Sequence, residues 1–166
     1  MTAGHLAAPR MAKQVRSFPG EARQVAAARQ FVGRTLGGCP ARDRLLTCVS
    51  ELAANAVEHT RSGAGGTFTV AVGRPRSGVA FVAVTDAGGP GEPTLGDAGE
   101  LAEAGRGLAL VAAFSSRWGY RGTARGRTVW AEATWPVSMR GAGRACRDAG
   151  DMWPDPWTPV EHPGVA

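Results

Sequence analysis

Residues 41–60 (ARDRLLTCVSELAANAVEHT) constrain the fold most, because they form one amphipathic helix that also carries polar residues at a regular spacing. Its apolar residues recur every three or four positions and therefore share one face of a helix. They are Leu45, Leu46, Val49, Leu52, Ala53, Ala56 and Val57. Glu51 and Asn55 lie one turn apart on another face, so both can point into a single pocket. Such a pair suits a water molecule or a metal ion, but on its own it is equally typical of solvated surface.

The length and apolar content favour a single domain with tails. The chain has 166 residues, of which 43% are hydrophobic, and this is enough for a core. No stretch approaches the roughly 20 apolar residues of a membrane span, and the N-terminus lacks the layout of a signal peptide. We therefore expect a cytoplasmic protein with no membrane association. The predicted domain covers residues 16–136, between a flexible leader (1–15) and a disordered tail (137–166) that carries Trp153 and Trp157.

The net charge of +5 and the pI near 10.0 raise the question of nucleic-acid binding. The basic residues are scattered arginines with a single lysine, and none falls between residues 77 and 105, where five acidic residues cluster. No basic groove with interleaved aromatic residues is visible, so direct nucleic-acid binding is not expected. The three cysteines, Cys39, Cys48 and Cys146, lack metal-ligand spacing, which favours reduced thiols without a role.

Two further helices and five strands are predicted around the central helix. The segments TFTVAV and VAFVAVT alternate and are rich in β-branched residues, so they indicate an antiparallel hairpin. Residues 86–105 are dense in Gly, Pro and acid, which is typical of a functional loop or lid. Helices are predicted at 21–36 and 106–116, and strands at 15–18, 67–72, 79–85, 117–120 and 128–135. The predicted class is α+β, a two-layer sandwich with a mixed, mostly antiparallel sheet and helices on one face.

Two short glycine motifs follow the helix. Asp86-Ala87-Gly88 stands at the exit of a predicted strand and could be an ordinary turn. The segment Gly105-Arg106-Gly107-Leu108 opens a predicted helix, but no strand precedes it and no acidic ribose partner follows, so a Rossmann fingerprint is a weak interpretation. A P-loop is excluded because its lysine motif is missing.

In combination the three motifs are far more specific. A helix with Glu-x-x-x-Asn, a strand followed by Asp-x-Gly, a glycine-rich lid, Gly-x-Gly-Leu and a strand with Gly-x-Thr together resemble the GHKL (Bergerat-type) ATP-binding fold of histidine kinases, gyrase B and MutL. More narrowly, SELAANAVEHT, VTDAGGP, GRGLALV and GRTVWAE resemble the stand-alone bacterial anti-sigma-factor serine kinases. The resemblance covers residues 18–135.

The resemblance implies a role for each matching residue. Asn55 is expected to hold a Mg²⁺ ion that bridges the phosphates of ATP, and Glu51 to orient or deprotonate the attacking group. Asp86 is expected to accept a hydrogen bond from the adenine amino group, and Gly88 to leave room for the base. Thr128 is expected near the adenine and its bound water.

The second glycine motif is expected at the phosphates. Gly105 and Gly107 would let the backbone approach them, while Arg106 and the first amides of a helix that begins there and includes Leu108 would offset their charge. One departure is Pro90, which replaces the last glycine of the family's first glycine motif. A second departure is the acidic lid, which would repel a triphosphate unless a cation or a partner screens it.

The resemblance finally implies a function. We expect an ATP-binding regulator, a serine/threonine protein kinase of the anti-sigma-factor type that phosphorylates an antagonist protein and sequesters a sigma factor. The alternative is a non-catalytic partner-binding module of the same fold that binds nucleotide or has lost it. Family members of this kind often form pairs, so a homodimer through the sheet edge or the first helix is also an expectation.

Overall fold

The computed structural model describes residues 11–90 and 103–137. Described residues up to Pro136 belong to one compact unit. Its elements in chain order are β1 (Met11–Pro19), α1 (Ala22–Leu36), α2 (Arg42–His59), a 3₁₀ turn (Arg61–Gly63), β2 (Thr67–Arg76), β3 (Val79–Asp86), α3 (Glu103–Phe114), β4 (Arg117–Thr123) and β5 (Gly126–Thr134). The predicted tail, with Trp153 and Trp157, and the lid at 91–102 lie outside the described residues.

The five strands form one sheet in the order β1-β2-β3-β5-β4. All four pairings between these described strands are antiparallel, so the parallel component of the predicted mixed sheet is not found in this part of the chain. The strand β3 has neighbours on both sides, which explains why seven of its eight residues are buried. The prediction of an α+β sandwich of this type is confirmed.

The edge strand β1 is longer than its sequence predicts. It was expected at residues 15–18, but it pairs with β2 from Met11, opposite Arg74, to Pro19, opposite Thr67. Residues 11–15, assigned above to a flexible leader, therefore belong to the sheet. The pattern missed them because an edge strand gains its order from backbone pairing and needs no run of apolar side chains.

The helix α2 lies at the centre of the helical layer, between α1 and α3, and packs on β3. Its predicted apolar stripe is buried except for Val57, which packs partly buried against the core. Cys48 is also buried on α2 and is a free thiol, as is Cys39. Burial raises the pKa of the Cys48 thiol to about 11, so this group is uncharged and unreactive at neutral pH.

The two faces of the sheet differ in chemistry. Toward the helices, Val82 and Val84 of β3 and Val129 of β5 join the hydrophobic core. On the opposite face, Thr85 and Thr128 lie in register and share a hydrogen bond of 2.8 Å between their hydroxyl groups. Because side chains alternate along a strand, Asp86 of β3 and Arg127 of β5 face the helices.

No helix among the described residues is long and apolar enough to cross a membrane.

Candidate functional site

Glu51 and Asn55 of α2 meet the first turns of α3 at Gly107. A methyl group added at residue 107 would lie 3.0 Å from Glu51 Oε2 and 3.4 Å from Asn55 Oδ1. Both α2 side chains are only partly buried, so their oxygens remain accessible beside the α3 backbone. The structure therefore brings Gly107 to two residues that lie more than fifty positions before it in the sequence.

The helix α3 begins at Glu103, three residues earlier than predicted. Gly105 consequently lies inside the helix, as Gly107 does, and not ahead of it. Arg106 is exposed at this end of the helix, where an anion is favoured by the helix dipole. The side chain of Leu108 is 4% exposed and belongs to the hydrophobic core, so only its backbone amide is left for the expected contact with the phosphates. Its role is to anchor α3, because its position on the helix points it away from the exposed side.

Asp86 ends β3 on the face of the sheet that carries the helices. The residue is 9% exposed, and its Oδ1 accepts a 2.6 Å hydrogen bond from the backbone N–H of Gly88. Burial raises the pKa of the Asp86 carboxyl, while this hydrogen bond and the charges of Arg127 and Arg61 oppose the rise. A buried carboxylate that accepts a hydrogen bond at only one of its oxygens is a strong acceptor for a donor group on a ligand.

The backbone around Gly88 requires a glycine at this position. Its φ is +72°, a region that favours glycine, and a methyl group there would lie 2.3 Å from the carbonyl oxygen of Ala124 in the β4–β5 turn. Arg61 fastens the same two segments, since it donates to the carbonyl oxygens of Ala87 at 2.9 Å and Ala124 at 2.6 Å. The neighbouring turn thus gives this position a structural need for glycine, while the room it would leave for the base stays a prediction.

The loop after Asp86 is also tied to the C-terminal end of α2. The backbone N–H of Arg61 donates to the carbonyl of Gly88 at 2.9 Å. Ser62, which is fully buried, accepts from the backbone N–H of Ala87 at 2.9 Å through its hydroxyl oxygen. The Asp86 loop therefore lies at the end of α2, and Asn55 and Glu51 follow one and two turns back along the same helix.

Thr128 faces away from Asp86, and its expected place near the adenine stays a prediction. It lies on the opposite face of the sheet, where it bonds Thr85, because side chains alternate and the inward positions of β5 are odd-numbered. The residue that faces Asp86 is Arg127, which pairs with it in the register of β3 and β5 and is 8% exposed. The alternation of Val129, Ala131 and Ala133 could have indicated Arg127 from the sequence.

Arg61 and Ser62 were also missed. Both lie in a glycine-rich segment without periodicity, and their importance comes from contacts with residues 25 or more positions away. No signal in the sequence marks such contacts.

Residues 18–133 match the model of the histidine kinase-like ATPase domain. The chain belongs to this family. The matched segment contains α2, the Asp86 loop and the described part of α3, and an ATPase domain implies ATP binding.

A solved structure shares the fold of this ATPase domain. It is the crystal structure of the RsbU and RsbW domains of Rv1364c from Mycobacterium tuberculosis, with a TM-score of 0.56 and 19% sequence identity. The match covers 74% of this chain and 32% of that chain, so this chain spans about a third of its length. A search of curated proteins found no match.

A Mg²⁺ ion is typical of this family, and the residues beside Gly107 fit it. Mg²⁺ is usually held by one or two protein oxygens, with phosphate oxygens and water completing its shell. Asn55 Oδ1 lies beside Gly107, next to Glu51 Oε2, and provides such an oxygen. Within residues 11–90 and 103–137 there is no cluster of three His, Cys, Asp or Glu residues that could hold a metal ion without the nucleotide.

Proposed function

We propose that this protein is a nucleotide-dependent regulator of the anti-sigma-factor type. It binds ATP with Mg²⁺, transfers the γ-phosphoryl group to a serine or threonine of a small antagonist protein, and sequesters a sigma factor. The observation that supports this proposal is the convergence of Glu51 and Asn55 beneath Gly107, on the helix whose far end carries the Asp86 loop. One helix thus presents a base end and a phosphate end.

The chemistry needs few residues. The hydroxyl oxygen of the acceptor serine attacks the γ-phosphorus, the bond from that phosphorus to the bridging oxygen breaks, and ADP leaves. Glu51 accepts the hydroxyl proton, and Asn55 holds the phosphate end in place. When bound, Mg²⁺ offsets the charge of the phosphates. Positioning and charge stabilisation provide most of the rate enhancement in phosphoryl transfer.

Nucleotide binding is tested first. The full chain is titrated with a fluorescent ATP analogue and Mg²⁺, and binding is expected for the wild type and for Glu51→Gln. Asp86→Ala is expected to abolish binding, because the base loses its acceptor. If the wild type does not bind at millimolar nucleotide, the ATP proposal fails.

Phosphoryl transfer is tested with a purified partner. Proteins that co-purify with the chain are identified, and each is incubated with the chain and γ-labelled ATP. Label on a serine or threonine of the partner, lost in Glu51→Gln but retained in Glu58→Gln, would support the kinase. Glu58 is a matched control because it is exposed on the same helix. Label that survives in Glu51→Gln would rule out Glu51 as the base.

The alternative of a non-catalytic module rests on one observation. Pro90 follows Gly89 where the family often has a second flexible glycine, and Gly89 is already packed so closely that a methyl group there would lie 2.7 Å from the His59 carbonyl oxygen. A loop held at both ends adjusts less to a nucleotide than a free one. Tight partner binding with no label transfer and no effect of ATP would favour this module.

A further inference from the structure

Arg127 is a buried cation without a complete set of partners. Its residue is 8% exposed, and its Nε has no hydrogen-bond partner among the residues that the structure describes. A guanidinium group remains charged at every physiological pH. Burial of such a group is costly unless acceptors surround it.

Asp86, the anion opposite Arg127 in the sheet, does not satisfy the hydrogen-bond donors of Arg127. Asp86 lies opposite it in the register of β3 and β5, and the charge of Arg127 opposes the rise in the pKa of the Asp86 carboxyl. Even so, the two form no ion pair within 4.0 Å in the described part of the chain. One oxygen of Asp86 is engaged by the Gly88 N–H instead. A donor group and an acceptor group therefore lie opposite each other on one face of the sheet without satisfying each other.

Arg61, the other nearby cation, already has hydrogen-bond partners. Arg61 donates to the carbonyl oxygens of Ala87 and Ala124, and it thereby holds the walls of the site. Arg127 thus differs from Arg61 in having a side-chain nitrogen without a hydrogen-bond partner among the described residues, opposite Asp86 in the register of the sheet. A planar ligand that offers a donor and an acceptor side by side would satisfy both Asp86 and Arg127.

We propose that Arg127 and Asp86 together read the edge of an adenine base, Asp86 as acceptor for the exocyclic amino group and Arg127 as donor to the adjacent ring nitrogen. This inference rests on the proposed nucleotide site and adds a specificity residue to it. Adenine carries its amino group between two ring nitrogens, N1 and N7, so an acceptor flanked by a donor matches that edge. A guanidinium group is suited to this task because its nitrogens lie in one plane.

The test compares nucleotides on three forms of the full chain. The wild type, Arg127→Met and Arg125→Met are titrated with ATP, 1-deaza-ATP, 7-deaza-ATP and GTP. Arg125 is the matched control because it is exposed two residues away. We expect the wild type and Arg125→Met to bind ATP at least about tenfold more tightly than one of the deaza analogues, the factor typical of a charged hydrogen bond. Arg127→Met is expected to lose about the same factor for ATP and to bind ATP and both analogues equally.

Several outcomes would overturn the inference. They are an unchanged ATP affinity in Arg127→Met, an equal loss for every nucleotide, or a wild-type preference for GTP, in which case Arg127 reads the carbonyl of guanine. If the wild type binds no nucleotide at all, the proposed function itself fails.

Thermal unfolding without ligand provides a second measurement. Arg127→Met removes a buried charge, so its midpoint is expected to equal or exceed that of the wild type, while the shift caused by ATP shrinks. A lower midpoint without ligand would show that Arg127 is a structural partner of another group and would overturn the inference. Arg127→Lys keeps the charge but not the planar donors, so it is expected to fold and to bind ATP with intermediate affinity.

Discussion

Gly107 of α3 lies directly against Glu51 of α2, with only 3.0 Å between the carboxylate oxygen and the place that a methyl group at residue 107 would occupy. Carbon and oxygen atoms at that distance are in repulsive contact. The glycine therefore lets the α3 backbone approach the carboxylate, and any side chain at this position must displace Glu51 or Asn55.

Gly107→Ala is expected to separate stability from activity. Alanine favours the helix by about 0.5 to 1 kcal/mol, which offsets the local crowding, so the unfolding midpoint should change little. ATP affinity or phosphoryl transfer should fall by about tenfold, since a displacement of a catalytic group of this size commonly costs that much or more. The control is Gly33→Ala in α1, where the added methyl group meets the flexible end of Arg42. Wild-type binding and transfer in Gly107→Ala would show that this contact is not part of the phosphate site.

Thr128→Val tests which face of the sheet holds the site. The variant keeps the shape of the side chain but loses the hydrogen bond to Thr85, so we expect a loss of about 1 kcal/mol in the free energy of urea unfolding. ATP affinity should stay within about twofold of the wild type. The double variant with Thr85→Val should recover part of the stability, because neither hydroxyl is then left unpaired. Loss of ATP binding in Thr128→Val would contradict the proposal that the nucleotide lies on the Asp86 face of the sheet.

Arg61→Met tests the clamp on the Asp86 loop. The substitution removes the hydrogen bonds to the Ala87 and Ala124 carbonyls while it keeps an apolar stem of similar length. Because Arg61 is exposed, water replaces part of what is lost, and unfolding should become easier by about 1 kcal/mol. ATP affinity should fall as well, since the loop positions Asp86. Arg125→Met in the same turn is the control, and equal effects in both variants would argue against a specific clamp.

Asp86→Asn is expected to stabilise the protein without ligand at neutral pH. Because burial raises the pKa of the Asp86 carboxyl in the folded state, the folded chain holds its proton more tightly than the unfolded chain does. Its contribution to stability is therefore greatest when the carboxyl is protonated, and it falls as the pH rises through the two pKa values.

Asparagine stays neutral, so the free energy of unfolding of Asp86→Asn should exceed that of the wild type by on the order of 1 kcal/mol at neutral pH. This gain should shrink as the pH is lowered toward the ordinary pKa of aspartate. Urea unfolding of both proteins across this pH range checks the prediction, with Asp43→Asn as an exposed control. A gain that grows at low pH would contradict it.

Cys48 should resist alkylation in the folded protein. Burial raises the pKa of its thiol to about 11, so at neutral pH very little reactive thiolate exists, and no route for the reagent is open. Mass spectrometry after treatment with an alkylating agent should find the Cys48 peptide unmodified until denaturant is added. Rapid modification in the native protein would show that α2 separates from the sheet easily.

Much of the fold could be predicted from the sequence because it depends on local periodicity. The apolar stripe of α2 and the alternation of β2 and β3 were each decided by neighbours within a few residues. The ends of elements were harder. The start of β1 at Met11 depends on pairing with β2, and the start of α3 at Glu103 lies in a segment whose glycines weaken the helical pattern.

For the site, the sequence by itself determined the residue types: Glu51 and Asn55 one turn apart, Asp86 at a strand exit, and glycines that open a helix. Only the tertiary structure decided what each of these residues contacts. It assigned Gly88 to the turn at Ala124, Leu108 to the core, and Arg127 instead of Thr128 to the side of Asp86.

The reason is physical. A motif records which side chains are present, but the face on which a side chain lies depends on the register of its strand, and a shift of one residue reverses every face. Register is set by backbone hydrogen bonds to strands distant in sequence, and Asp86 and Arg127 become neighbours through such bonds alone.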